Sequence, residues 1–125
     1  MAINIALVGL GIIGGSFLKT LLEHKKPGFE IIAVAEVGYT PGLVRAKEQE
    51  IPIHTLEEIS RMGDSLDIIF DLTGNVKVRQ EIRKILASEN NNHTTVVPEI
   101  VALFFWYALE DRPLPDIHEN KGYTS

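Results

Sequence analysis

The feature that most constrains this chain is the junction at residues 3–19, I-N-I-A-L-V-G-L-G-I-I-G-G-S-F-L-K. A short, mostly apolar run, residues 3–8, meets three glycines at Gly9, Gly11 and Gly14, and apolar residues recur at helical spacing from there. Such a pattern predicts a buried strand, a tight turn and an amphipathic helix. Each glycine has its own reason. Gly9 permits the turn, Gly11 lets backbone approach a ligand with no Cβ in the way, and Gly14 lets the helix lie close on the strand. The helix opens with unpaired N–H groups and the positive end of its dipole. With Leu10, Ile12 and Ile13 between the glycines, this loop is the expected seat of a dinucleotide pyrophosphate.

A G-x-G-x-x-G is weak evidence by itself in a chain with ten glycines, because three of them can simply make a tight turn. Context strengthens it. The next apolar run, F-E-I-I-A-V-A-E, ends in Glu36, about twenty residues past the last glycine, where a carboxylate grips a ribose diol. A plain surface carboxylate is the competing reading. In the ligand role, the charge of Glu36 would repel the extra 2′-phosphate of NADP, and no arginine or lysine follows before Arg45. NAD is therefore the expected cofactor, in preference to NADP.

At 125 residues one domain is expected, short for a complete two-domain enzyme. Hydrophobic residues at 45% and charged residues at 23% indicate neither disorder nor a membrane protein. No apolar run reaches the roughly 18 residues a membrane span needs, and Met1-Ala2-Ile3 leads straight into the first strand, which predicts no signal peptide. A net charge of −5 argues against nucleic-acid binding, and the lack of cysteine removes disulfides and thiolate metal sites. The expected location is cytoplasmic.

Further along, the pattern predicts a helix at 13–25, a strand at 30–35, a helix at 43–50 and a short edge strand at 51–53 containing Pro52. Thr55, with Glu58 three residues on, reads as a capping box opening a helix through residue 62. A strand at 67–72, a helix at 76–88, a strand at 93–97 and a last helix opening at Pro98 complete the alternation. Strands alternating with helices imply right-handed crossovers and a single Rossmann-like, doubly wound parallel sheet in the α/β class, with five strands in the order 3-2-1-4-5. Residues 1–111 form that domain and residues 112–125, with two prolines, an extended tail.

Ligands of such sheets bind outside the carboxyl ends of the strands. Thr73, Gly74 and Asn75 fall there beside the glycine loop and Glu36, placed to hydrogen-bond a ribose or phosphate, although Asn75 also suits the N-cap of the next helix. Catalytic candidates are thin. His24, His54, His93 and His118 have no metal-ligand spacing and read as surface or turn residues. The surroundings of Ser16 lack the second glycine of a nucleophile elbow. Asp71 stands in an apolar strand near the crevice, where burial raises a carboxylate pKa and hydrogen bonding can make it structural instead.

These segments resemble the N-terminal half of the inositol dehydrogenase and glucose-fructose oxidoreductase family, and the cofactor domains of homoserine and aspartate dehydrogenases. The resemblance covers residues 3–109 and rests on V-G-L-G-I-I-G-G, A-V-A-E, E-I-P-I-H-T-L-E-E-I and D-I-I-F-D-L-T-G-N. It implies cofactor roles for Gly9, Gly11, Gly14, Glu36, Thr73 and Asn75. G-L-G-I-I-G-G-S alone looks equally like prephenate dehydrogenase, which the remainder of the chain fits less well. The sugar-dehydrogenase family carries Glu-Lys-Pro after its fifth strand, whereas V-V-P-E stands here without a lysine, and no substrate domain follows within the 125 residues.

Three functions stay open: an NAD(H)-binding module without chemistry of its own, an oxidoreductase completed by a partner chain or by sequence beyond this one, and an interaction domain with a vestigial or coenzyme-A-type adenosine site. The last helix bears on all three. Leu103, Phe104, Phe105, Trp106 and Tyr107 cannot all face one sheet, because helical spacing spreads them around the axis, so a homodimer or a partner protein is expected on it.

Overall fold

The computed structural model describes residues 2–110. The expected tail, and Asp111 at the domain's end, lie outside the described residues. Four parallel strands, β1 (Ile3–Val8), β2 (Phe29–Ala35), β3 (Ile68–Asp71) and β4 (Thr95–Pro98), form one sheet in the order β2-β1-β3-β4. The helices are α1 (Ile12–Glu23), α2 (Pro41–Glu48), α3 (Leu56–Ser60), α4 (Val76–Ser88) and α5 (Glu99–Leu109).

The two faces of β1 show why the sheet has helices on both sides. Ile5 and Leu7 pack with Phe17 and Leu18 of α1, Ala46 of α2 and Ala102 of α5, while Ala6 and Val8 pack with Ile59 of α3 and Ile82 and Leu86 of α4. Successive side chains of a strand point to opposite faces, so an unbroken apolar strand needs a cover on each.

Among the described residues the sheet has four strands where five were expected in the order 3-2-1-4-5. The stretch at 51–53 contributes one parallel bridge, Val34 to Ile53, in which Val34 donates its N–H to the Pro52 carbonyl and accepts from His54. Pro52 has no N–H to give, and the Ile51 N–H is spent on the Ala46 carbonyl closing α2, so the ladder cannot extend. The Thr55 capping box forms as the spacing indicated, with Glu58 reaching back to the Thr55 N–H at 2.8 Å.

Among the described residues no helix is long and apolar enough to cross a membrane. On α5, Trp106 and Ala102 are buried, whereas Ile100, Phe104, Phe105, Tyr107 and Leu109 are exposed.

Candidate functional site

The glycine turn joins β1 to α1 at the carboxyl end of the sheet. Gly9 has φ +97°, a left-handed conformation side chains rarely adopt, and donates its N–H to the Ala35 carbonyl at 2.8 Å. A Cβ on Gly14 would stand 2.0 Å from the Gly9 carbonyl oxygen. Folding itself demands both glycines. Gly11 differs: it is exposed, and a Cβ there would meet nothing within 4 Å. The protein's own packing does not require a glycine at that position. The first turn of α1 carries no side-chain cap and no acid. Leu10 and Ile13 anchor the turn with buried side chains, and Ile12 is exposed on its rim.

Glu36 follows β2 and turns toward this loop. Its Oε1 accepts the Leu10 N–H at 2.5 Å and its Oε2 the Gly38 N–H at 2.8 Å. The carboxylate thus sits over the glycine turn. Beside it lies a cavity of about 390 Å³, between the ends of β1 and β2 and the openings of α3 and α4, with Val8, Val37, Leu56 and Val78 supplying apolar wall and Thr73 an edge. Sequence reasoning missed Val37, Leu56 and Val78. The one available signal was an apolar residue directly after the acid, and Val37 is indeed fully exposed.

Thr73, Gly74 and Asn75 reach the same end of the sheet, where the Thr73 hydroxyl and Asn75 Oδ1 help shape the turn. The Thr73 hydroxyl donates to Asp71 Oδ1 at 2.7 Å and accepts the Asn75 N–H at 3.1 Å. Asn75 Oδ1 accepts the Lys77 N–H at 2.9 Å, so capping α4 is the role its geometry shows. Gly74 has φ +67°.

Asp71 is buried and hydrogen-bonded, as its structural reading required. Its Oδ1 takes both the N–H and hydroxyl of Thr73, while Oδ2 has no hydrogen bond and lies 3.8 Å from Arg79. Next to it stands a carboxyl that the sequence did not mark as a site residue. Register pairs Asp71 with Pro98, bringing Glu99 close, and burial together with the Asp71 charge pushes the Glu99 carboxyl from 4.5 up to about 7.

Of the three described histidines, His54 meets Glu58 at 3.2 Å and His93 meets Asp67 at 2.6 Å at the surface, while His24 Nδ1 lies 2.9 Å from the Thr20 carbonyl. His118 lies outside the described residues. Among the described residues no cluster of three or more His, Cys, Asp or Glu forms a metal site.

A glycine turn at the carboxyl end of β1, on a parallel sheet wrapped by helices, defines a Rossmann-like α/β domain. No family model and no curated protein matches the chain. Solved structures do. Homoserine dehydrogenase from S. aureus is 21% identical with a TM-score of 0.60, the match covering 87% of this chain and 29% of that one. Prephenate dehydrogenase from A. aeolicus, solved with hydroxyphenyl propionate and NAD+, is 21% identical with a TM-score of 0.55, covering 90% of this chain and 40% of that one. Homoserine dehydrogenase from Thiobacillus denitrificans gives 21% and 0.50, covering 78% and 23%. At such identities the likeness is one of fold. That fold is shared with homoserine dehydrogenase and, over most of the chain, with prephenate dehydrogenase, and the inositol dehydrogenase side of the resemblance is not confirmed. The chain spans less than a third of the length of the homoserine dehydrogenases it matches.

Proposed function

We propose that this chain is an NAD(H)-binding module related to dehydrogenase cofactor domains, acting as a redox or nucleotide sensor. The observation that carries the reading is the pairing of Gly11, a glycine the fold does not need, with Glu36 turned over the same loop. In this reading Gly9, Leu10, Gly11, Ile12, Ile13 and Gly14 receive the pyrophosphate at the start of α1, Glu36 takes the adenosine ribose, the neighbouring cavity takes the adenine, and Thr73, Gly74 and Asn75 border the nicotinamide half. The Glu36 charge supports NAD over NADP, since a 2′-phosphate beside it costs several kcal/mol. The prephenate dehydrogenase it resembles in fold was solved with NAD+ bound.

Titration with NAD, NADH, NADP and coenzyme A tests this. Trp106 packs with Ile13 in the first turn of α1, so its fluorescence reports on the loop. A ligand at 100 times its Kd adds about 2.7 kcal/mol to stability. Binding of NAD(H) in preference to NADP(H) is the expected result; no response to any of the four ends the reading.

A second reading, an oxidoreductase whose substrate half lies on another chain or in further sequence, draws on the short span of the match to homoserine dehydrogenase. Turnover of a small hydroxy or amino acid on adding that half would favour it. We also assign the exposed face of α5 to a homodimer, because it adjoins β4, which is at the sheet's edge among the described residues, and a two-fold axis there would cover both features at once.

A further inference from the structure

A second cavity, of about 320 Å³, lies between α1 and α2 and shares no lining residue with the one beside Glu36. It meets the glycine turn at Gly11 and Ile12 and runs out to Lys19 of α1 and Arg45 of α2. Close approach of the two helices creates it: a Cβ on Gly42 would stand 2.8 Å from the Leu10 carbonyl oxygen and 3.0 Å from the Gly15 Cα. Among the described residues Lys19 and Arg45 are its charged lining residues, and no acid lines it. Both are half-buried, and neither forms an ion pair among the described residues. In a chain of net charge −5, two half-buried cations that share one cavity and make no ion pair among the described residues are a specific arrangement. Neither α1 nor α2 carries an acid in its first turn. The Thr40 hydroxyl oxygen accepts the Leu43 N–H at 3.0 Å, which leaves its own proton to donate.

We propose that this groove binds a small dianion of the phosphate-monoester type between Lys19 and Arg45, beside the dinucleotide mouth. Two positive charges match a dianion, the Arg45 fork and the Thr40 hydroxyl supply directed donors, and Ile12 and Pro41 offer apolar wall to the carbon part of an organic phosphate. The site stands independently of dinucleotide binding, although the shared rim at Gly11 and Ile12 would make the two ligands neighbours.

The test is calorimetric titration of the full chain with inorganic phosphate, with and without NADH, in the parent and in Lys19→Met, Arg45→Met and the double variant. Phosphate is expected to bind the parent, each single variant to lose about tenfold in affinity, and the double variant to lose binding. Unchanged thermal melts show that the variants fold, and Arg45→Lys should keep part of the affinity. No binding to the parent, or equal binding to the double variant, overturns the proposal. Two sources of the phosphate group are separable, and either supports the site. Phosphate that binds alongside both NADH and NADPH is a free ligand; phosphate displaced by NADPH but not by NADH identifies the dinucleotide's own 2′-phosphate, and would count against the NAD preference. Phosphate binding in a chain that takes no dinucleotide leaves this site standing and removes the function proposed above.

Discussion

Adding one methyl group at Gly11 and, separately, at Gly14 distinguishes a glycine kept for a ligand from one kept for the fold. At Gly14 the new Cβ would lie 2.0 Å from the Gly9 carbonyl oxygen, well inside any real contact, and the obstacle is backbone. Either α1 or the turn must move by more than 1 Å, roughly speaking, and overpacking of this kind costs about 3 kcal/mol, the upper end of its usual range. At Gly11 the same methyl meets nothing within 4 Å, and φ is −73°, so stability should hold to within about 1 kcal/mol. Binding should respond in the opposite sense. A methyl held where a phosphate oxygen approaches the backbone removes a charge-assisted contact worth roughly 1.5–3 kcal/mol, which is about ten- to a hundredfold in Kd for NADH. The assay is urea denaturation of both variants, followed by NADH titration on Trp106 fluorescence. A Gly11→Ala protein that is stable and binds NADH with parental affinity would refute the close-approach argument. A Gly14→Ala protein as stable as the parent would refute the packing argument.

Glu99 carries a pH dependence. Its carboxyl keeps its proton to about pH 7 in the folded state and releases it near 4.5 when unfolded, so between those values the folded state binds more protons and stability falls as pH rises. A shift of that size is worth roughly 3 kcal/mol at full burial, and solvent screening at this partly exposed group cuts it to about 1–2. Denaturation midpoints from pH 5 to 8 should decline in the parent and flatten in Glu99→Gln; parallel slopes would rule the assignment out. Thr55→Ala removes the hydroxyl that accepts the Glu58 N–H at 3.0 Å and should cost about 1 kcal/mol in chemical denaturation, with a null effect showing that α3 does not depend on its cap. Phe104→Glu, on the exposed face of α5, should turn a dimer into a monomer by light scattering at tens of micromolar, roughly, with little change in thermal stability; a parent protein already monomeric there would remove the dimer.

Much of this architecture is legible in the sequence. Alternation of apolar strands with periodic helices is local information, and so are Thr55 with Glu58, the span of α4, and the glycine spacing after β1, because each depends on residues within a few positions of one another. The stretch at 51–53 has the apolar residues of a strand and bridges to Val34, but the Ile51 N–H goes to the end of α2, and no ladder forms there. Asn75 suits a ligand contact and an N-cap equally well in sequence, and the structure shows the cap, while the Thr73 hydroxyl is drawn to a buried Asp71 two residues earlier.

The sequence by itself determined the order of elements and the chemistry of the opening turn, since backbone freedom and hydrophobic period belong to the residues and travel with them. Only the tertiary structure decided what stands beside what. Folding set Glu36 over the Leu10 amide, brought Asp71 to Glu99 across two strands, and left Lys19 and Arg45 facing one cavity. These pairings span residues far apart in the chain, and their electrostatics depend on distance and burial, which a string of letters does not contain.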